Sequence, residues 1–169
     1  CRPKMANPAR RDINDDILEL AASCRFSPRR WSRVAWDWGH GELADYDGPR
    51  GWQDDINQII EDHLADPAKR YQPLQIAVAS GHGIGKSAEM GMLSNWAMSC
   101  FADAKIVTTA NTEGQLRTKT APEIGKWFRM SLTAHWFDIQ TMSIKSRDPT
   151  HGEQWRQDFI PWSEHNTEA

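Results

Sequence analysis

Cysteine is scarce in this chain of 169 residues: Cys1, Cys24 and Cys100 are the only three. They are far apart, odd in number and unaccompanied by histidines at metal-ligand spacing, which excludes a zinc or disulfide framework and fits reduced thiols. No apolar run approaches the roughly 20 residues needed to cross a bilayer. The N-terminus also lacks the apolar core of a secretion signal, so a soluble intracellular protein is expected. An excess of positive charge is missing as well. With a net charge of −3 and a pI near 6.1, the molecule as a whole does not have the footprint of a nucleic-acid binder, and any contact with DNA must be local. No internal repeat or low-complexity segment is visible. The chain opens at Cys1 and stops at Ala169 without a terminating element, and it reads as a piece of something longer.

Tryptophan is abundant instead, with nine residues, and the plain reading is core and surface-staple packing, because aromatics dominate buried area. Apolar residues Ile13, Ile17, Leu18 and Ala21 fall at helical spacing, predicting a helix over 12–23. Ser27-Pro28 is an N-cap followed by proline at the first helical position. The short helix it opens turns Trp31, Val34 and Ala35 inward and leaves Arg29, Arg30 and Arg33 as a solvated face. Residues 39–51 hold four glycines, a proline and several acids and form a loop. Helix returns at Trp52, with Ile56, Ile59, Ile60, His63 and Leu64 on one stripe and Asp66-Pro67 as its stop; His63 reads as a satisfied core histidine.

Leu74-Gln75-Ile76-Ala77-Val78-Ala79 is an apolar run of strand length. Helix is expected from Lys86 to Phe101 and strand at Ile106–Ala110, the strand–loop–helix–strand order of a parallel sheet. Asn111 or Thr112 caps a further helix through Leu116. Thr120-Ala121-Pro122-Glu123 has the spacing of a capping box, with a split or kink at Pro122. Residues 137–144 and 155–162 are two more strand candidates.

Between the first strand and its helix lies Gly81-His82-Gly83-Ile84-Gly85-Lys86-Ser87. A triphosphate needs several backbone N–H groups converging on its oxygens, a mobile cation and a hydroxyl for magnesium. Gly81, Gly83 and Gly85 let the backbone curl, with Ile84 between them; Lys86 is the cation and Ser87 the magnesium ligand, so ATP and Mg2+ are the expected cofactors. In the pattern G-x-x-x-x-G-K-[ST] the first glycine would stand at Ser80, and here it has moved to Gly81. A dinucleotide fingerprint fits less well, since Gly81-x-Gly83 lacks a glycine three residues on.

The loop, together with Thr108-Thr109-Ala110-Asn111-Thr112 and Gln115, resembles the large terminase subunit of tailed bacteriophages. The resemblance covers most of residues 50–169 and is specific at the loop and the Thr-Ala-Asn-Thr segment. It implies an α/β P-loop NTPase fold, a RecA/helicase-like parallel sheet flanked by helices, incomplete at its C-terminus. Residues 1–50 would form an N-terminal helical region and 51–169 a partial ATPase domain. It also implies a motor that hydrolyses ATP to drive double-stranded DNA into a procapsid, working in the host cell cytoplasm as a homo-oligomeric ring with a small terminase subunit and a portal protein. Thr109, Asn111, Thr112 and Gln115 would couple nucleotide state to DNA; taken alone, they are a capped helix start. Trp52-Gln53 looks like the family's adenine-reading pair, with Gln53 able to donate and accept at the base edge.

Two departures from the family stand out. His82 takes the place where terminase loops often carry an arginine, and it is the candidate catalytic partner of Lys86, although a neutral imidazole is a weak substitute for a full cation. No apolar run ends in Asp-Glu, so the acids that hold magnesium and orient water are absent, and the chain is expected to be cut just before them. The alternatives are a small P-loop phosphotransferase and a non-catalytic module whose tryptophans and arginines at 25–38 dock a partner.

Overall fold

The structure, a computed structural model, describes residues 12–81 and 83–162. His82, the expected catalytic partner of Lys86, lies outside the described residues, as does the tail from 163 onward. Helices α1 (Ile13–Ser23) and α2 (Pro28–Val34) start where their caps predict. Asp12 accepts the Asn14 N–H, and Ser27 accepts the Arg30 N–H with proline at the first position. A 3₁₀ turn, Gly41–Leu43, leads to α3 (Gly51–Ala65). After the loop come α4 (Lys86–Cys100) and β1 (Lys105–Thr108).

The next helix is one irregular rod. Thr112 caps α5 (Glu113–Gln115) by accepting the Gln115 N–H, a π-helical stretch (Leu116–Thr120) follows, and α6 (Ala121–Met130) continues from it. The capping box expected at Thr120 does not form. Thr120 has helical backbone angles and makes no side-chain capping bond, because the preceding turn already runs into α6. Strands β2 (Phe137–Ile139), β3 (Ser143–Ser146) and β4 (Arg156–Phe159) complete the sheet.

Its order is β1-β4-β3-β2, with β1 and β4 parallel and the other two pairings antiparallel. The architecture is therefore mixed α/β with a small four-stranded mixed sheet, rather than the parallel sheet expected. The largest difference is at residues 74–79, where the run read as the first strand is not a strand. Leu74, Ile76 and Val78 are 39%, 38% and 41% exposed and join no described sheet, and β1 stands at the edge of the sheet with β4 as its one described neighbour.

Two hydrophobic clusters hold the elements together. One joins α1 and α2 to α4 and α6 through Ala21, Trp31, Trp36, Met92, Trp96 and Trp127. The other seats the sheet on α6 and the end of α4, through Phe128, Ile124, Met98, Phe137, Ile144 and Phe159. Several indoles also spend their N–H on a distant element, as buried tryptophans tend to. Trp31 donates to Asn95 Oδ1 at 3.0 Å, Trp36 to the Trp127 carbonyl at 2.9 Å and Trp96 to the Cys24 carbonyl at 3.0 Å. α2 is fixed to α3 by Arg29 and Arg33, which converge on Asp54 at 2.8 and 3.0 Å. The basic face is solvated as read, with Arg29, Arg30 and Arg33 exposed, and two of its arginines also pair with Asp54. Hydrogen bonding from Arg29 holds the Asp54 carboxyl below its ordinary range.

Candidate functional site

Gly83 and Gly85 have φ of 77° and 92°, left-handed backbone that a side chain disfavours, and they turn the chain into the start of α4. The first N–H groups of an α-helix have no intrahelical acceptor, so the end of α4 offers free donors and a partial positive charge. In front of them opens a cleft of about 1050 Å³. Its near wall is Gly83 to Ala88, and its far wall is the irregular rod, from Gln115 through Lys119 and Lys126 to Arg129. A smaller cavity of about 280 Å³ adjoins it, lined by Trp38, Tyr46, Arg50, Gln53 and Trp127.

Of the expected site residues, Gly83, Ile84, Gly85, Lys86, Ser87 and Gln115 meet at the large cleft. Gly81 is exposed just before it. Thr109 and Asn111 are exposed beyond the end of β1, and Thr112 is spent capping α5. Lys86 folds back on the loop: its Nζ donates to the Ser80 carbonyl at 2.9 Å, to Ser80 Oγ at 2.8 Å and to the Gly81 carbonyl at 2.9 Å. All three contacts are solvent-exposed.

Gln53 is buried, and both ends of its amide are engaged. Oε1 accepts the Arg50 N–H at 2.8 Å, and Nε2 donates to the Gly85 carbonyl at 3.1 Å. Reading a base with Gln53 would require exchanging one of these bonds; as placed, it ties the start of α3 to the loop. Arg50 adds a second tie, from Nη1 to the Ile84 carbonyl at 3.3 Å, and lies over the Tyr46 ring. Sequence reasoning passed over Arg50, Trp38, Tyr46 and the far-wall cations. Arg50 had a signal in its place three residues before Gln53 at a helix start. The cations had one in their spacing, 119, 126 and 129, on one side of a helix.

A magnesium ion at this site would rest on Ser87 Oγ together with the nucleotide's own oxygens and water. The donor set fits that role, and a Cβ at Gly83 would meet nothing within 4 Å, so the space before the loop is open. Among the described residues no three His, Cys, Asp or Glu side chains gather to hold a metal ion, and no helix is long and apolar enough to cross a membrane. Both described cysteines, Cys24 and Cys100, are free, and burial pushes their thiols up. Comparison with protein-family models, with curated proteins and with solved structures finds no match for this chain.

Proposed function

We propose that this chain is the nucleotide-binding part of an ATP-driven DNA-packaging motor of the terminase large-subunit type, with a P-loop NTPase fold. The observation that carries the reading is the loop at 83–87. Two left-handed glycines, a lysine and a serine open a buried helix and face a cleft large enough for a nucleoside triphosphate. The backbone amides of the loop and α4 bind the phosphates, Lys86 leaves Ser80 and Gly81 to neutralise them, and Ser87 holds magnesium, which draws charge from the phosphate oxygens. The aromatic cavity of Trp38, Tyr46 and Trp127 receives the base by stacking, beside Gln53 and Arg50. Gln115 on the far wall, with Thr109, Asn111 and Thr112 leading to it, passes nucleotide state to duplex DNA. A ring of such chains, with a small subunit and a portal, is the assembly this reading implies.

Titration with Mg–ATP, followed by tryptophan fluorescence at Trp38 and Trp127, tests it. Lys86→Ala is expected to weaken binding by more than about tenfold, the loss of one charge-assisted contact. Equal titration by both proteins would leave the partner-docking alternative. In a longer chain that carries the acids missing here, ATP turnover stimulated by duplex DNA separates a motor from a phosphotransferase.

A further inference from the structure

The far wall of the cleft carries charge that the loop does not account for. Lys119, Lys126 and Arg129 all border the cleft opposite the loop. Lys126 is neutralised, its Nζ lying 2.8 Å from the carboxylate of Glu42 in the 3₁₀ turn Gly41–Leu43. Glu42 is otherwise unpaired among the described residues, whereas its neighbour Glu123 is held by the Trp127 indole N–H at 3.1 Å. Glu42 and Lys126 line both the large cleft and the aromatic cavity, so their ion pair stands at the junction of the two. With side chains 41% and 64% exposed, the pair is the weak, readily exchanged kind.

A triphosphate brings several negative charges, of which magnesium offsets two, and the near wall adds one lysine and about half a charge from the helix end. A cation across the cleft therefore adds to binding without being required for it, and Lys126 stands at the junction of the two spaces. We propose that Glu42–Lys126 is an exchangeable latch: the phosphate chain of an entering nucleoside triphosphate displaces Glu42 and takes Lys126 as its second cation, opposite Lys86. The inference rests on reading the cleft as a triphosphate site. Glu42 then acts as a built-in competitor. It weakens binding of any anion that must share Lys126 with it, and the effect grows with the number of phosphates that reach the junction. Because Leu43 of the same turn stays packed in one cluster with Trp127 of α6, the exchange releases the Glu42 side chain and leaves the turn in place.

Calorimetric titration of the chain with the magnesium complex of a non-hydrolysable ATP analogue, and separately with AMP, tests the latch. Glu42→Gln is expected to tighten the triphosphate analogue about two- to fivefold and to leave AMP unchanged. Lys126→Met is expected to weaken the analogue about three- to tenfold, and the double variant should behave as Lys126→Met alone. An ion pair that merely props the fold predicts that both single variants move affinity the same way, and that result, or no effect of Glu42→Gln, overturns the proposal. Should Lys126→Met fold poorly, Lys126→Arg is expected to bind as the parent does, and the sign of the Glu42→Gln effect decides. A parent chain that binds no analogue removes the triphosphate reading beneath the latch. Parent binding that Lys86→Ala abolishes, with no gain from Glu42→Gln, removes the latch alone.

Discussion

Glu89 sits one turn into α4 with 3% of its surface exposed, and neither carboxylate oxygen finds a hydrogen-bond partner among the described residues. Trp52 Nε1 and Asn57 Nδ2 on α3 are likewise buried without partners. Burial, helped by the nearby negative charge of Asp54, pushes the Glu89 carboxyl up from 4.5 to about 8. A carboxyl that stays protonated in the folded chain while it ionises in the unfolded one makes folding take up a proton. The stabilisation is full below pH 4.5 and is lost as pH rises through about 8. Glu89→Gln keeps the shape and removes the titration. Its thermal midpoint should stay flat across that window, while the parent's falls, and at pH 8 the variant should be the more stable by on the order of a few kcal/mol. Thermal melts at half-unit pH steps check this, and a parent midpoint that does not fall would contradict it. Little of this was legible beforehand. Glu89 follows Lys86 in an ordinary helical sequence, and which side of α4 is buried depends chiefly on α6 and α2, which are distant in the chain. Gln53 was singled out with its neighbour Trp52, but its bonds to Arg50 and Gly85 were not legible, since a side-chain amide serves base, cap or backbone equally well.

α4 and α6 cross closely at Gly91, where an added Cβ would meet Trp127 Cβ at 2.8 Å and Cγ at 2.9 Å. Those Trp127 atoms are the rigid root of a side chain that is itself packed against Trp36 and Trp38, so they have little room to shift. Gly91→Ala would gain helix propensity of about 1 kcal/mol at an exposed site, but here the clash outweighs it. A net loss of about 1–3 kcal/mol is expected, read as a lower urea midpoint with an unchanged slope. At this scale the helices were legible from capping residues and periodicity, since both signals are local: Asp12, Ser27 and Thr112 cap the helices that follow them. The run at 74–79 was misread as a strand. The run of Leu74, Ile76 and Val78 reports apolar character, while strand formation also needs a paired neighbour, and the described sheet holds only β1, β4, β3 and β2. The same non-locality hid the antiparallel β2–β3–β4 run inside an apparently parallel pattern.

The two hydrophobic clusters raise the question of whether the molecule unfolds as one body. α4 contributes Met92 and Trp96 to the helical cluster and Met98 to the sheet cluster, while α6 contributes Trp127 to the first and Ile124 and Phe128 to the second. Trp136 packs partly buried against both. Two rigid helices shared between two cores couple them, because each helix loses part of its buried surface when either core opens and is then held by the other alone. The cleft depends on that coupling: its near wall is the start of α4, and its far wall is the rod that ends in α6. Trp136→Ala removes the one large side chain among the described residues that touches both clusters from outside those helices. It is expected to cost about 2 kcal/mol, less than a fully buried tryptophan, and to lower the midpoint by about 4–8 °C for a chain of this size. Far-UV circular dichroism and tryptophan fluorescence should still trace a single coincident transition, since α4 and α6 continue to serve both cores. If the two signals separated in the variant, the cores would be joined chiefly through Trp136, and nucleotide binding should then be lost at the first of the two transitions, when the rod parts from the loop.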